Sequence, residues 1–332
     1  MWRFSWVSAF MTLAAFSLWG KPAELPFLYE LNPPVHQGSG GVLAAQVPEL
    51  RWSVMVVSAP ETRVELRRAL PSGGSETAGR LIREGYAARR FQAALPLGKT
   101  AALRFETAFR SSGEFERIDS DGSSLHAFAD SDWLTGVSIQ KRFNKITASA
   151  GGKWIRAKRG GERVDHASAW DIHLAYEPNE RWRFGVHARN LSGSDLSSLG
   201  PPSRVRGETA AGVQHRMRLS SDFALLLSAD ARFPSPHAAQ GSGGAVLAYQ
   251  NWIGAAAGYM RRAERWKADY LPANADETAV DERLWIQSGP TAGAWARLGA
   301  WKISGSISPV YVPNLPGVEK PYQWSVEIAR RM

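Results

Sequence analysis

The chain has 332 residues, 40 Lys and Arg against 31 Asp and Glu, a formal net charge of +9, and no cysteine. The missing cysteine excludes a zinc ribbon, an iron–sulfur centre, a disulfide scaffold and a thiol nucleophile, while 31 Gly and 19 Pro argue against an all-α bundle. With 21% charged and 44% hydrophobic residues the chain is too apolar for intrinsic disorder and too polar for a multi-helix membrane protein, yet its 14 tryptophans need surroundings that are half wet and half apolar.

Met1 to Gly20 contains one basic residue, Arg3, followed by an uncharged apolar run, the pattern of an export signal. A single transmembrane anchor is the competing reading, but the run is barely long enough to span. Gly20 and Ala23 offer small residues for cleavage, so residues 1–20 are expected to be a signal and residues 21–332 one exported domain. Next comes a Pro- and Gly-rich stretch from Leu31 to Gly41, and a second nonstrand stretch from Pro60 to Gly85, with a short helix expected at Glu76 to Glu84. Segments of this kind suit an irregular or helical plug or cap as well as an external loop.

Strands are expected at Arg51 to Ser58, Tyr86 to Pro96 and Lys99 to Arg110. Asp119, Asp121, Asp130 and Asp132 then form the densest acidic group, read as a solvated loop because most of a calcium-loop pattern is missing. From Trp133 onward alternation is sharper. Trp133, Val137, Ile139 and Phe143 share one parity, Trp170, Ile172, Leu174 and Tyr176 another, and Trp182, Phe184, Val186 and Ala188 alternate with Arg183, Gly185, His187 and Arg189. Further segments at Arg204 to Met217, Ser220 to Phe233, Gly243 to Trp252, Ile253 to Arg262, Leu284 to Arg297, Gly299 to Pro309 and Tyr322 to Ala329 bring the count to about 14 strands.

A soluble β-sandwich also alternates, so the aromatic residues decide between architectures. Trp133, Trp154, Trp170, Trp182, Trp252, Trp285, Trp301 and Trp324 fall mostly near strand ends on the apolar parity, as girdles at a membrane–water interface would. The expected fold is therefore all-β, a single transmembrane antiparallel barrel of about 14 strands. Its polar face carries Asp171, His173, Arg181, Arg183, His187, Arg189, Arg204, Arg206, Glu208, Asp222, Asp230 and Arg232, which suit either cross-strand salt bridges in a plugged lumen or an open anion-selective path. Basic residues are scattered, and an exported chain meets lipid head groups or anionic solutes rather than nucleic acid.

Four sets of residues, the last of them Gly258-Tyr259, similar to a late-strand ending of that group, give the chain a resemblance to FadL-like outer-membrane barrels, and among them to the PorV/PorQ-type proteins associated with type IX secretion. Asn32, Pro33 and Pro34 resemble that group's Asn-Pro-Ala element, the run from Gly136 to Leu191 ends two hairpins in Arg189-Asn190-Leu191, and Leu199 to Gly207 is similar to the following loop-to-strand passage. Two features depart from that pattern: Gly38-Ser39-Gly40-Gly41 follows the Asn-Pro element instead of preceding it, and the C-terminus lacks a terminal aromatic residue. The resemblance implies a bacterial outer-membrane barrel without enzymatic activity or cofactor. Its partners would be outer-membrane lipid and other export or cell-surface proteins, for which it would be a scaffold or carrier. A channel for small hydrophobic or anionic solutes is the alternative, and a soluble periplasmic β-sandwich binding protein is the third.

The residues carry little catalytic signal of their own. Gly98-Lys99-Thr100 ends like a phosphate-binding loop, but Ala93 occupies the first required glycine and the segment reads as a turn. The seven histidines form no HExxH, and His173 and His187 are expected to meet across a hairpin as lumen hydrogen-bonding groups rather than as metal ligands.

Overall fold

The computed structural model describes residues 21–23, 51–59, 62–69, 75–83, 87–119, 124–159, 163–192, 195–196, 203–205, 207–234, 240–266, 283–309, 312–313 and 322–331. The proposed signal, Asn32, Pro33, Pro34 and Arg206 lie outside the described residues. Fourteen strands form the wall: β1 (Arg51–Ser58), β2 (Ala87–Pro96), β3 (Ala101–Asp119), β4 (Ser124–Phe143), β5 (Ile146–Arg159), β6 (Arg163–Tyr176) and β7 (Trp182–Ser192) make the first half. The second half is β8 (Glu208–Arg218), β9 (Phe223–Pro234), β10 (Gln240–Tyr249), β11 (Ile253–Trp266), β12 (Arg283–Leu298), β13 (Trp301–Pro309) and β14 (Tyr322–Arg331). Each pairs antiparallel with its sequence neighbours, and β14 pairs with β1 from Arg51↔Arg331 to Ser58↔Trp324, so the sheet closes on itself. Closure leaves no edge strand, which a two-sheet sandwich would have kept.

One end of the barrel is made of short turns, and local chemistry sets them. Asn144, between β4 and β5, takes φ 51°, a left-handed conformation that asparagine tolerates. Gln250 and Asn251 both have positive φ, and the Trp252 amide donates to the Tyr249 carbonyl at 3.1 Å, as a two-residue hairpin turn requires. Between β6 and β7 the Asn179 side chain accepts hydrogen bonds from the amides of Arg181 and Trp182 at 2.9 and 3.0 Å. At the other end the connections are longer, and short strands outside the wall occupy some of them: Lys21–Ala23, Ser203–Val205 and Asp195–Leu196 form a small sheet, and Val312–Pro313 pairs with β12.

Three local expectations change here. The stretch from Pro60 to Gly85, expected to be nonstrand with a helix at Glu76 to Glu84, contains the strands Thr62–Ala69 and Ser75–Arg83, which pair with each other. Gly79 to Arg83 also pair with Phe115–Asp119 of β3, so over those residues neighbours on both sides satisfy the backbone and override any local helical preference. The acidic group is not one loop: Asp119 ends β3, and Asp132 sits within β4, 2% exposed, with the Arg110 guanidinium 3.7 Å away. The expected segment Arg204 to Met217 divides into Ser203–Val205 and β8.

Burial is inverted relative to a water-soluble protein. Val137 is 44% exposed and Ile139 51%, whereas Glu208 and Glu327 on the inner face are each 1% exposed. An apolar outside around a polar inside is what a hydrocarbon solvent imposes on a barrel. On β4 the outward apolar face extends from Trp133 to Phe143, roughly 33 Å along the strand at about 3.3 Å per residue, or about 25 Å in height at a tilt near 40°. That height matches the apolar band of an outer-membrane barrel. No helix among the described residues is long and apolar enough to cross a membrane.

Tryptophans mark the borders of the band. Trp133, Trp154, Trp170 and Trp324 lie toward the long-loop side, and Trp182, Trp252 and Trp301 beside the short turns; all seven are outward and 40–59% exposed. Several are braced by other rings, with Phe109 edge-on to Trp133 at 6.0 Å, His166 stacked on Trp154 at 5.1 Å and His215 tilted against Trp182 at 4.1 Å. Trp285 lies in β12 opposite Glu264 in the register, and its side chain falls outside the described residues.

Candidate functional site

The inner face of the barrel separates into a filled half and a hollow half. Toward the long loops the lumen is occupied by polar groups packed out of solvent. Arg110 faces Asp132, Asp230 and Arg232 on β9 are 3.4 Å apart, and His187 Nε2 lies 3.4 Å from the Glu208 carboxylate, each of these side chains at most 7% exposed. Polar groups this deep persist because they are paired.

Below this layer a cavity of about 1090 Å³ runs to the short-turn end, where Lys99, Arg181 and Arg331 stand at its rim. Small residues hollow it out. Gly136, Ser138, Ser149 and Gly151 present little side chain on the β4–β5 wall. At its inner end Lys153 Nζ donates to both Asp171 oxygens at 2.8 Å, and the Asn190 amide donates to Asp171 Oδ1 at 2.8 Å. Asn190 presents that amide from an irregularity in the β7 register, where its φ is 54°. Across the lumen Gln92 Nε2 donates to Glu106 at 2.7 Å, while Arg51 and Glu327, from the first and last strands, are 3.0 Å apart.

Nearer the rim the charges no longer balance. Glu177 accepts from Arg142 at 3.2 Å and lies 2.8 Å from the Arg183 guanidinium, which also donates to Gln214 at 3.3 Å. Arg104, Arg216 and Arg297 line the same space, and among the described residues none of them has a carboxylate bridge of this kind. Thirteen Lys and Arg side chains line the whole cavity against five Asp and Glu. The chain's positive charge is thus concentrated in the lumen, a field that attracts anions and repels cations.

One aromatic ring enters this basic space. Trp295 faces inward from β12 over Gly254, where an added Cβ would lie 2.6 Å from the indole nitrogen, and Lys302 Nζ stands 5.1 Å from the ring centroid. Glycine at position 254 lets the indole lie flat against the wall.

Of the residues singled out in the sequence, Asp171, His173, Arg181, Arg183, His187 and Arg189 line the cavity. His173 and His187 are direct partners in the β6–β7 register. Glu208, Asp230 and Arg232 belong to the filled layer. Arg204 lies in the outlying strand Ser203–Val205, its side chain outside the described residues. Asp222 departs from expectation: it sits in the β8–β9 turn and accepts from Gln250 Nε2 at 2.9 Å, so it is no part of the lumen row. Sequence reasoning passed over Arg104, Glu106, Lys153, Trp295, Arg297 and Lys302. For Trp295 the signal was present, because it shares its parity with Arg297 while Ala294, Ala296 and Leu298 occupy the other. No group of acidic residues and histidines among the described residues is placed to hold a metal ion.

No family model matches the chain, and no curated protein does. Solved structures do match its fold. The toluene transporter TodX of Pseudomonas putida superposes with a TM-score of 0.59 at 9% identity, over 92% of this chain and 99% of that one. The toluene transporter TbuX of Ralstonia pickettii gives 0.54 at 12% identity over 92% and 100%, and a Pseudomonas aeruginosa FadL homologue gives 0.51 at 8% over 94% and 99%. At these identities the likeness is one of fold, a closed antiparallel barrel.

Proposed function

We propose that the chain is a passive outer-membrane channel of the FadL-like type, admitting small hydrophobic solutes. The observation that carries this reading is the solvent-sized cavity inside a closed wall whose outside is apolar. A protein that only presented a surface to partners would have no need of a hollow lumen. The fold it shares with proteins described as toluene transporters supports the same use, and for that reason solute passage takes precedence over the export-scaffold role that the PorV/PorQ resemblance implied. In barrels of this architecture short turns face the periplasm, which puts the basic mouth on that side.

The mechanism needs no reaction. A solute enters from the long-loop side, crosses the filled layer by displacement of its paired groups, and reaches a hydrated cavity open to the periplasm. The closed hydrogen-bonded wall keeps the path intact while side chains move. Vesicles with a lipopolysaccharide outer leaflet, which resists hydrophobic solutes, test the proposal. Incorporation of the purified chain is expected to raise toluene entry several-fold over protein-free vesicles, and equal rates would overturn the channel reading.

A further inference from the structure

The outer wall carries a charge pattern of its own. Over residues 87–111, 131–158 and 164–176 the acidic residues Glu106, Asp132, Asp165 and Asp171 all alternate inward, whereas Arg89 and Arg156 point outward. Arg89 of β2, Phe109 of β3, Trp133 of β4 and Arg156 of β5 are successive direct partners in the register, so they form one exposed row across four strands. His166 of β6 continues the row beyond Arg156. At about 4.8 Å per strand the two arginines are about 14 Å apart, with both aromatic rings between them. The rings are held in place: Phe109 lies edge-on to Trp133 at 6.0 Å, and the Trp133 indole nitrogen donates to Thr135 Oγ1 at 3.1 Å.

Arg156 stands two residues beyond Trp154 toward the long loops, and Arg89 two beyond Phe91, so both side chains reach the level of the lipid head groups. Outward cations at the opposite border are engaged differently. Lys141 stands over the Phe143 ring at 5.0 Å and Arg330 over Trp301 at 5.6 Å, whereas Arg89 and Arg156 have no ring or carboxylate partner among the described residues. Lys158, the next outward residue of β5, has an interaction of its own and adds only to the field.

We propose that this row is a binding site for lipopolysaccharide, in which Arg89 and Arg156 each take one of the two phosphates at the ends of the lipid A disaccharide while its acyl chains run down over Phe109 and Trp133. A guanidinium makes paired, charge-assisted hydrogen bonds to a phosphate, and two of them set apart by three strands suit a head group with a phosphate at each end. Long loops face the cell exterior in barrels of this architecture, the side whose leaflet carries such a lipid. Such a site depends on the outer-membrane placement and on neither the solute nor its passage.

Native mass spectrometry of the detergent-solubilised full chain tests the site, with bisphosphorylated lipid A, its monophosphorylated form and phosphatidylglycerol as probes. The bisphosphorylated form is expected to bind roughly tenfold more tightly than either of the others. Arg89→Gln and Arg156→Gln, made separately, are each expected to abolish most of that preference, whereas Arg261→Gln, at an outward position on β11, is expected to leave it unchanged. Heat-modifiable gel migration identifies the folded variants, and either arginine variant suffices if the other does not fold. Equal binding of the two lipid A forms, or a preference unchanged in a folded Arg89→Gln or Arg156→Gln variant, would overturn the site. Binding no tighter than that of phosphatidylglycerol would overturn it as well, because any anionic lipid would then serve.

Discussion

Ile139→Arg is expected to destabilise the barrel by about 2–4 kcal/mol, the cost of placing a guanidinium near the bilayer midplane on a lipid-facing strand. Ile139 is outward, 51% exposed, and lies between the Trp133 and Phe143 levels of β4. In a water-soluble protein an arginine at so exposed a site would cost almost nothing. His166, also outward but beyond Trp154 toward the long loops, provides the contrast: His166→Arg is expected to cost no more than about 1 kcal/mol because the charge reaches the interface. Urea unfolding in phospholipid vesicles reads both, and equal effects at the two positions would show that the outer face does not meet lipid.

The second large effect is expected at the seam where the barrel closes. Glu327 of β14 is 1% exposed and faces Arg51 of β1 at 3.0 Å, so the pair ties the two chain-distant strands together from inside. The contact is an ion pair by distance rather than an aligned hydrogen bond, since the Glu327 oxygen that approaches Arg51 makes no hydrogen bond of its own. Removing one partner leaves the other charge buried, at a cost of about 3–5 kcal/mol. Glu327→Ala is therefore expected to lower the temperature at which the folded band converts to the unfolded one on gels by far more than Arg142→Ala does, because Arg142 is 60% exposed at the rim. Similar shifts for the two variants would remove the seam pair from the account.

Much of the wall was legible in the sequence because the barrel writes a period of two into its strands. From Trp170 to Tyr176 of β6 and from Tyr322 to Ile328 of β14 the outward residues are apolar and the inward ones small or polar, and lipid enforces that pattern along the height of the band. The hairpin over residues 62–83 escaped detection for the complementary reason. It lies beyond the band, Arg67-Arg68 and Glu76 break any alternation, and its strand character comes from pairing with β3. Asp132 was misplaced because its burial depends on Arg110, a partner 22 positions earlier that no local pattern reveals. The basic cavity was only half visible. The row on β7 showed in the sequence, but the union of Arg104, Arg216, Arg297 and Lys302 around one cavity requires the sheet to close. Closure also accounts for the net charge of +9, which composition alone left unexplained.

The most direct measurement of the central claim is quenching of tryptophan fluorescence by brominated phospholipids in reconstituted vesicles. Among the described residues eight outward tryptophans, Trp52 with the seven named above, border the apolar band while Trp295 faces the lumen. Bromines near the carbonyl level of the lipid are predicted to quench the emission strongly and bromines at the chain ends weakly, with a residue of unquenched emission that falls in Trp295→Phe. Emission unaffected by bromine at either depth, yet fully quenched by acrylamide from water, would contradict a barrel that spans the membrane.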